Sequence, residues 1–253
     1  MRCLFVIVVG ILLAAGLWAA APDRPYRAWG VKDAEEILYA SPWSCCCTWI
    51  SPYVAGSGEP AGERLEVYVQ LFSSHPIRQA VAVVAAAGDE RRLDRWQEFA
   101  TRNFDDEIVI AWIARSEPQG SGVLTEFMNQ LRRLSLAELQ QNTFLATPSG
   151  GKVPILDYLP PTPDGSGAKF IFPRNLPNGT PLVTVADHQL VFQTKPLALD
   201  LGPRFPSVNC KAMVEIAPTR EYVRELRRTA AAEFRITATF SLKKLQYQGK
   251  TDY

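Results

Sequence analysis

The chain has 253 residues, 47% of them hydrophobic and 21% charged, with a formal net charge of +1. Those proportions exclude disorder, collagen-like repetition or coiled coil as global descriptions, and the near-neutral charge without a basic stripe argues against nucleic acid as a partner. Setting aside the N-terminus leaves enough chain for one large domain or two small ones.

Residues 1–21 read as a signal peptide or membrane anchor. Arg2 precedes an uncharged run from Cys3 to Pro22, rich in Leu, Val, Ile and Ala, the n-region and h-region of a secretory signal. Such a helix partitions into hydrocarbon while the arginine stays on the cytoplasmic side. Ala19 and Ala21, or Ala14 and Gly16, offer small-residue cleavage sites. The run also approaches the roughly 20 apolar residues that span a bilayer. Export to a periplasmic or secreted location is expected, with anchoring by an uncleaved helix as the alternative. Membrane contact is expected only through this segment.

Residues 22–159 read as an α+β region. Asp33-Ala34-Glu35-Glu36-Ile37-Leu38 opens a helix with a capping-box pattern, Asp33 as the cap, and Pro42 ends it near Ser41. Ser44–Ser51 reads as a strand with Cys45, Cys47 and Trp49 on one face and Cys46, Thr48 and Ile50 on the other. A Gly-rich loop, Ala55–Gly62, leads to the strand Arg64–Ser73, whose Leu65, Val67, Val69 and Leu71 alternate with other residues. Pro76 fits the first turn of a helix to Ala87, with Ser74 or His75 as cap and Gly88 as stop. Asp89–Thr101 continues as one charged helix with Leu93, Trp96 and Phe99 or Ala100 inward. Glu107–Ala114 is apolar enough for a strand covered on both faces. Leu124, Phe127, Met128 and Leu131 mark another helix, Ser135 with Glu138 caps a short one, and Thr143–Ala146 with Lys152–Tyr158 forms a hairpin.

Pro160–Gly167 is the best linker. The β-rich region, 168–253, then holds strands at Lys169–Phe172, Gln189–Thr194, Phe234–Leu242 and Leu245–Lys250, and one helix over Glu221–Ala232. The expected fold class is α+β: antiparallel sheets with packed helices, the N-terminal half helix-rich, the C-terminal half mainly β, one sheet in each half and both regions open to forming a single domain.

Candidate chemistry is sparse. Cys45-Cys46-Cys47 and Cys210 are the cysteines beyond the leader and the candidate disulfide or redox residues. Alternate cysteines on a strand lie about 7 Å apart, too far for an unstrained bridge, so the simplest pairing joins one of the triplet to Cys210. The competing reading is that reduced cysteines fill the strand as small hydrophobes. The triplet lacks metal-ligand spacing. His75 and His188 are the only histidines. His75 suits a helix start, and His188 follows Asp187 but points to the opposite face if the pair is extended. The serines of Gly56-Ser57-Gly58, Gly120-Ser121-Gly122 and Gly165-Ser166-Gly167 lack a nucleophile elbow's context. Asp105-Asp106-Glu107 and Glu35-Glu36 read as solvated element ends, and Gly150-Gly151-Lys152 lacks the spacing of a phosphate loop. Asn178-Gly179-Thr180 matches a glycosylation sequon. Trp29, Trp43 and Trp49 suit either the core or an anchoring patch. No catalytic, cofactor-binding or metal-binding residue is assigned, and no cofactor is expected.

Asp33–Leu38 followed by Ser41-Pro42-Trp43 resembles the start of uncharacterised exported bacterial proteins, in which a tryptophan, a short helix and Ser-Pro-Trp follow the signal. Phe172-Pro173-Arg174 and Leu245-Gln246-Tyr247-Gln248-Gly249-Lys250 are similar to their ends. The Cys triplet and the stretch from Cys210 to Ala232 depart from that pattern. The resemblance implies export and a single unit, with no activity attached. The expected function is non-enzymatic: binding, or a structural role with a protein or other envelope component. The alternative is an extracytoplasmic hydrolase whose residues converge only in three dimensions.

Overall fold

A computed structural model describes residues 21–50, 64–117, 119, 122–162, 167–195, 205–206 and 236–253. Residues 1–20, Cys210 and the helix expected over Glu221–Ala232 lie outside that set. The fold is α+β. Among the described residues six α-helices all fall between Val31 and Asn142, and antiparallel sheets of six, four and two strands run through the rest.

Helix α1 (Val31–Ala40) has its cap at Gly30, three residues earlier than the sequence pattern predicts. Asp33 is not the cap; it sits in the first turn and accepts the Gly30 N–H at 2.7 Å. That backbone bond, ahead of its pairing with Arg24, lowers the Asp33 pKa. Strands β1 (Ser44–Ile50) and β2 (Arg64–Leu71) pair antiparallel, and α2 (His75–Ala86) follows with Pro76 in its first turn. The single helix expected over Asp89–Thr101 is two, α3 (Glu90–Arg95) and α4 (Gln97–Thr101). The break falls at Trp96, whose ψ of −2° leaves the helical range. An unbroken helix would carry Leu93, Trp96 and Ala100 on one face. The break keeps Leu93 and Ala100 buried and leaves Trp96 exposed.

Strand β3 (Glu107–Glu117) is longer than expected, and α5 (Gly122–Arg133) and α6 (Leu136–Asn142) follow. Helix α6 carries the predicted capping box: Glu138 N–H donates to the Ser135 hydroxyl, and Ser135 N–H donates to the Glu138 carboxylate at 3.0 Å. Strands β4 (Thr143–Ala146) and β5 (Lys152–Pro154) form the predicted hairpin. Its second arm does not run on to Tyr158. Pro154 has no N–H to continue the ladder, Ile155 N–H still reaches Thr143 O at 3.2 Å, and Leu156 N–H already bonds Ile171 O at 2.7 Å. Within two residues the chain has changed sheets, and Asp157–Leu159 becomes β6 of the other one. The remaining strands are β7 (Ala168–Pro173), β8 (Gln189–Thr194), β9 (Phe205–Pro206), β10 (Ile236–Ser241), β11 (Gln246–Tyr247) and β12 (Lys250–Thr251). The last two form a small hairpin where one strand was expected.

The large sheet runs β6-β7-β3-β2-β1-β9 and the second β10-β8-β4-β5. The expectation of one sheet per half is corrected: stretches 22–159 and 168–253 give strands to both sheets, β7 pairing with β3 and β8 with β4. Residues 160–167 join β6 to its own neighbour β7. Of that stretch, 163–166 lie outside the described residues.

The two faces of the large sheet are covered differently. Helix α1 lies on one, where Gln70 Nε2 donates to Leu38 O at 2.7 Å, and α4 packs Phe99 on Phe72 with ring centroids 5.7 Å apart. On the other, Leu65, Val67, Val69 and Leu71 are fully buried. There Trp112 stacks on Phe127 of α5 and touches Phe170 of β7 and Phe192 of β8, which joins the sheets. Each such ring contributes roughly 2–3 kcal/mol of apolar burial.

Candidate functional site

The register of β1 separates the cysteine triplet. Cys45 and Cys47 lie opposite Val69 and Val67 on the inner face and are buried, while Cys46 lies opposite Tyr68 on the helix-covered face and is half-buried. Cys45 Sγ approaches Thr239 O of β10 at 3.9 Å, and Cys46 Sγ approaches Thr48 Oγ1 at 3.7 Å. No disulfide is seen among the described residues. A bridge to Cys210 falls outside them. The Tyr68 hydroxyl beside this thiol is pushed well above the usual tyrosine pKa, first by burial and then by its bond to Glu66.

His75 opens α2, and its Nδ1 lies 3.1 Å from Asp252 Oδ2. The same oxygen accepts the His75 backbone N–H at 3.0 Å. Asp252 therefore caps the positive end of α2, since the Ser74 hydroxyl donates instead to Leu71 O. The final segment is held at further points. Trp43 Nε1 donates to Asp252 O at 2.8 Å, Tyr247 donates to Gln79 Oε1 at 2.6 Å, and Arg174 stacks on Tyr253 while donating to its carbonyl. Among the described residues no serine, threonine or cysteine hydrogen-bonds the His75 ring. His188 is exposed. Its neighbour Asp187 turns away to accept from Thr184 N and Oγ1, both at 2.8 Å, and from Ser149 N at 3.1 Å. Burial by itself raises the Asp187 pKa, but these bonds outweigh it and hold it down at about 2.

Arg78 is wholly buried. Its guanidinium donates to Phe99 O at 2.8 Å and Ser73 O at 3.2 Å, and lies 4.9 Å from the Phe104 ring centroid. Burial pulls its pKa down to about 10, so it remains protonated at neutral pH. It ties the end of α4 to the end of β2. Trp29 and Trp43 are buried, which places both in the core rather than in an anchoring patch; the Trp49 side chain lies outside the description. Asp105, Asp106, Glu35 and Glu36 are exposed, and Gly150 (φ +94°) sits in the β4–β5 turn. No group of three metal-ligating side chains occurs among the described residues.

A concave feature with polar lining lies on the outer face of the second sheet. It encloses about 340 Å3 and is lined by Gln140, Gln141 and Asn142 at the end of α6, Thr143 and Phe144 of β4, Lys152 and Pro154 of β5, and Gln193 and Lys195. Register sets Pro154, Phe144 and Gln193 abreast across three strands. Lys152 Nζ stands 3.7 Å from the Phe144 ring centroid. None of its lining side chains is acidic. A second cleft of about 410 Å3 lies between Ala21–Pro25 and Gln246–Gly249. Sequence reading missed both this groove and the Asp252 cap. The run Gln140-Gln141-Asn142 and the alternation of Gln193 with Lys195 were the available signals for the groove. Nothing local marks Asp252, which lies 177 positions from His75. No protein-family model, curated protein or solved structure matches the chain.

Proposed function

We propose that this is an exported, envelope-associated protein that acts by binding. The observation that carries the reading is how Asp252 is used. Among the described residues, the carboxylate that touches a histidine ring, that of Asp252, accepts that residue's backbone N–H as well, and so serves as a helix cap and a latch for the β11–β12 segment. The apolar leader supports export, and the polar groove offers a surface for a ligand. Cell fractionation with N-terminal sequencing tests the placement. A chain found in the periplasm, medium or membrane agrees with it, and a full-length chain in the cytosol overturns it.

One observation favours an extracytoplasmic hydrolase as a second reading: a half-exposed imidazole held by a carboxylate is a general-base arrangement. Replacing His75 with Gln separates the two. Loss of a hydrolytic activity measured on ester or glycoside panels with an unchanged melting temperature supports the hydrolase. A lowered melting temperature with no activity in the parent supports the latch.

A further inference from the structure

We infer that Asn178-Gly179 is a site of self-modification, where the side-chain amide is lost as ammonia when the turn opens, and that Thr180 restrains the reaction. Asn178 is the one asparagine of the chain that is followed by glycine. The pair lies at the tip of a hairpin. Leu182 N–H donates to Arg174 O at 2.8 Å, Asn175 bridges to Pro181, and Leu176 N–H donates to Thr180 O at 2.7 Å. Pro177 and Asn178 form the corners of the turn, and Gly179 (φ +83°) takes the left-handed position that closes a three-residue hairpin loop. Asn178, Gly179 and Thr180 are all exposed, so water reaches the reacting atoms.

The reaction needs no partner beyond water. The Gly179 nitrogen, unhindered by a Cβ, gives its proton to hydroxide and attacks Asn178 Cγ. The new Cγ–N bond closes a five-membered succinimide, the Cγ–Nδ2 bond breaks, and Nδ2 leaves as ammonia with a proton taken from water. A second water then adds to either ring carbonyl and opens it to aspartate or isoaspartate. In the folded hairpin both reacting groups are engaged elsewhere. Gly179 N–H donates to Leu176 O at 2.8 Å, which keeps its proton from solvent base. Asn178 Oδ1 accepts from Thr180 N–H at 3.0 Å and from the Thr180 hydroxyl at 2.7 Å, which together hold the carboxamide. Attack requires these bonds to part, and a loop tip opens far more readily than the sheets beneath it. Neither the location of the protein nor its ligand enters this chemistry.

Incubation of the full chain in neutral and in mildly alkaline buffer, with and without urea, tests the site, with products located by peptide mass spectrometry. In urea Asn178 is expected to convert to aspartate and isoaspartate faster than nearby Asn175, and faster still at the higher pH. In the folded chain its conversion should be slower by about tenfold or more. Each event takes the formal net charge from +1 to zero, so the product also separates by charge. Thr180→Val removes one of the two bonds to Oδ1. It should speed folded conversion by about threefold to tenfold, as loss of one hydrogen bond implies, and change nothing in urea. Thr180→Ser keeps the hydroxyl and should match the parent. Pro177→Gly loosens the turn without removing either bond and should also speed the folded chain, which keeps the restraint testable if Thr180→Val melts at lower temperature. Equal rates in the folded and unfolded parent, or a Thr180→Val rate equal to the parent's, overturn the restraint. An Asn178 that stays unchanged in urea overturns the site.

Discussion

Gly167 and Ala87 both adopt left-handed backbone, at φ +71° and +51°, yet their side-chain requirements differ. A Cβ on Gly167 would stand 2.2 Å from Trp112 O, inside any real contact distance. Gly167→Ala should therefore cost about 3 kcal/mol through the clash and the unfavourable φ together. Ala87 ends α2 in the conformation that glycine prefers, and Ala87→Gly should stabilise by about 0.5–1 kcal/mol. Chemical denaturation of the two variants measures both; a neutral Gly167→Ala would mean that β3 and the start of β7 are not in contact. Asp187 gives a pH signature. Its folded pKa of about 2 lies below the value of about 3.9 for an unfolded aspartate, so between those values the unfolded chain binds more protons. The stability it contributes is present above pH 4 and is lost as pH falls toward 2. Acid denaturation of Asp187→Asn should lack this component, and an unchanged acid profile would remove the role assigned to Ser149 and Thr184.

The cap on α2 comes from the opposite end of the chain. Asp252→Ala should cost about 1–2 kcal/mol, the usual value of a helix cap, and should speed amide exchange at His75 and in the first turn of α2. Unchanged exchange there would reduce the carboxylate to a surface contact. At this scale much was legible in the sequence, because the signals are local: alternation in β2, Pro76 at the head of α2, and the Ser135–Glu138 box of α6. What could not be read depended on neighbours. Trp96 breaks a helix whose period is unbroken, because burying Leu93 and Ala100 with Trp96 turned out suits the packing. Pro154 ends a strand whose sequence continues apolar, because Ile171 on the other sheet accepts the Leu156 N–H two residues on. The groove was illegible for a related reason: its amides and lysines lie on α6, β5, β8 and the residue just after β8, and only the β8–β4–β5 register makes them one surface.

Interleaving of the sheets bears on the whole molecule. Strands from before and after the Pro160–Gly167 stretch pair within both sheets, and Trp112 packs against both layers. Neither stretch can lose its structure while the other keeps its hydrogen-bond ladder. Equilibrium unfolding followed by tryptophan fluorescence and by far-ultraviolet circular dichroism should give one coincident transition. Two separated transitions would mean that the layers are independent units.

The second cleft is walled by Ala21–Pro25 on one side and by Gln246–Gly249 of the β11–β12 hairpin on the other, so these two stretches lie close together. That proximity makes the order of the elements along the polypeptide dispensable. A circular permutant that joins Tyr253 to Pro22 through a brief flexible spacer, reopened in the exposed Asn178–Gly179 turn, should reach the same architecture as its parent.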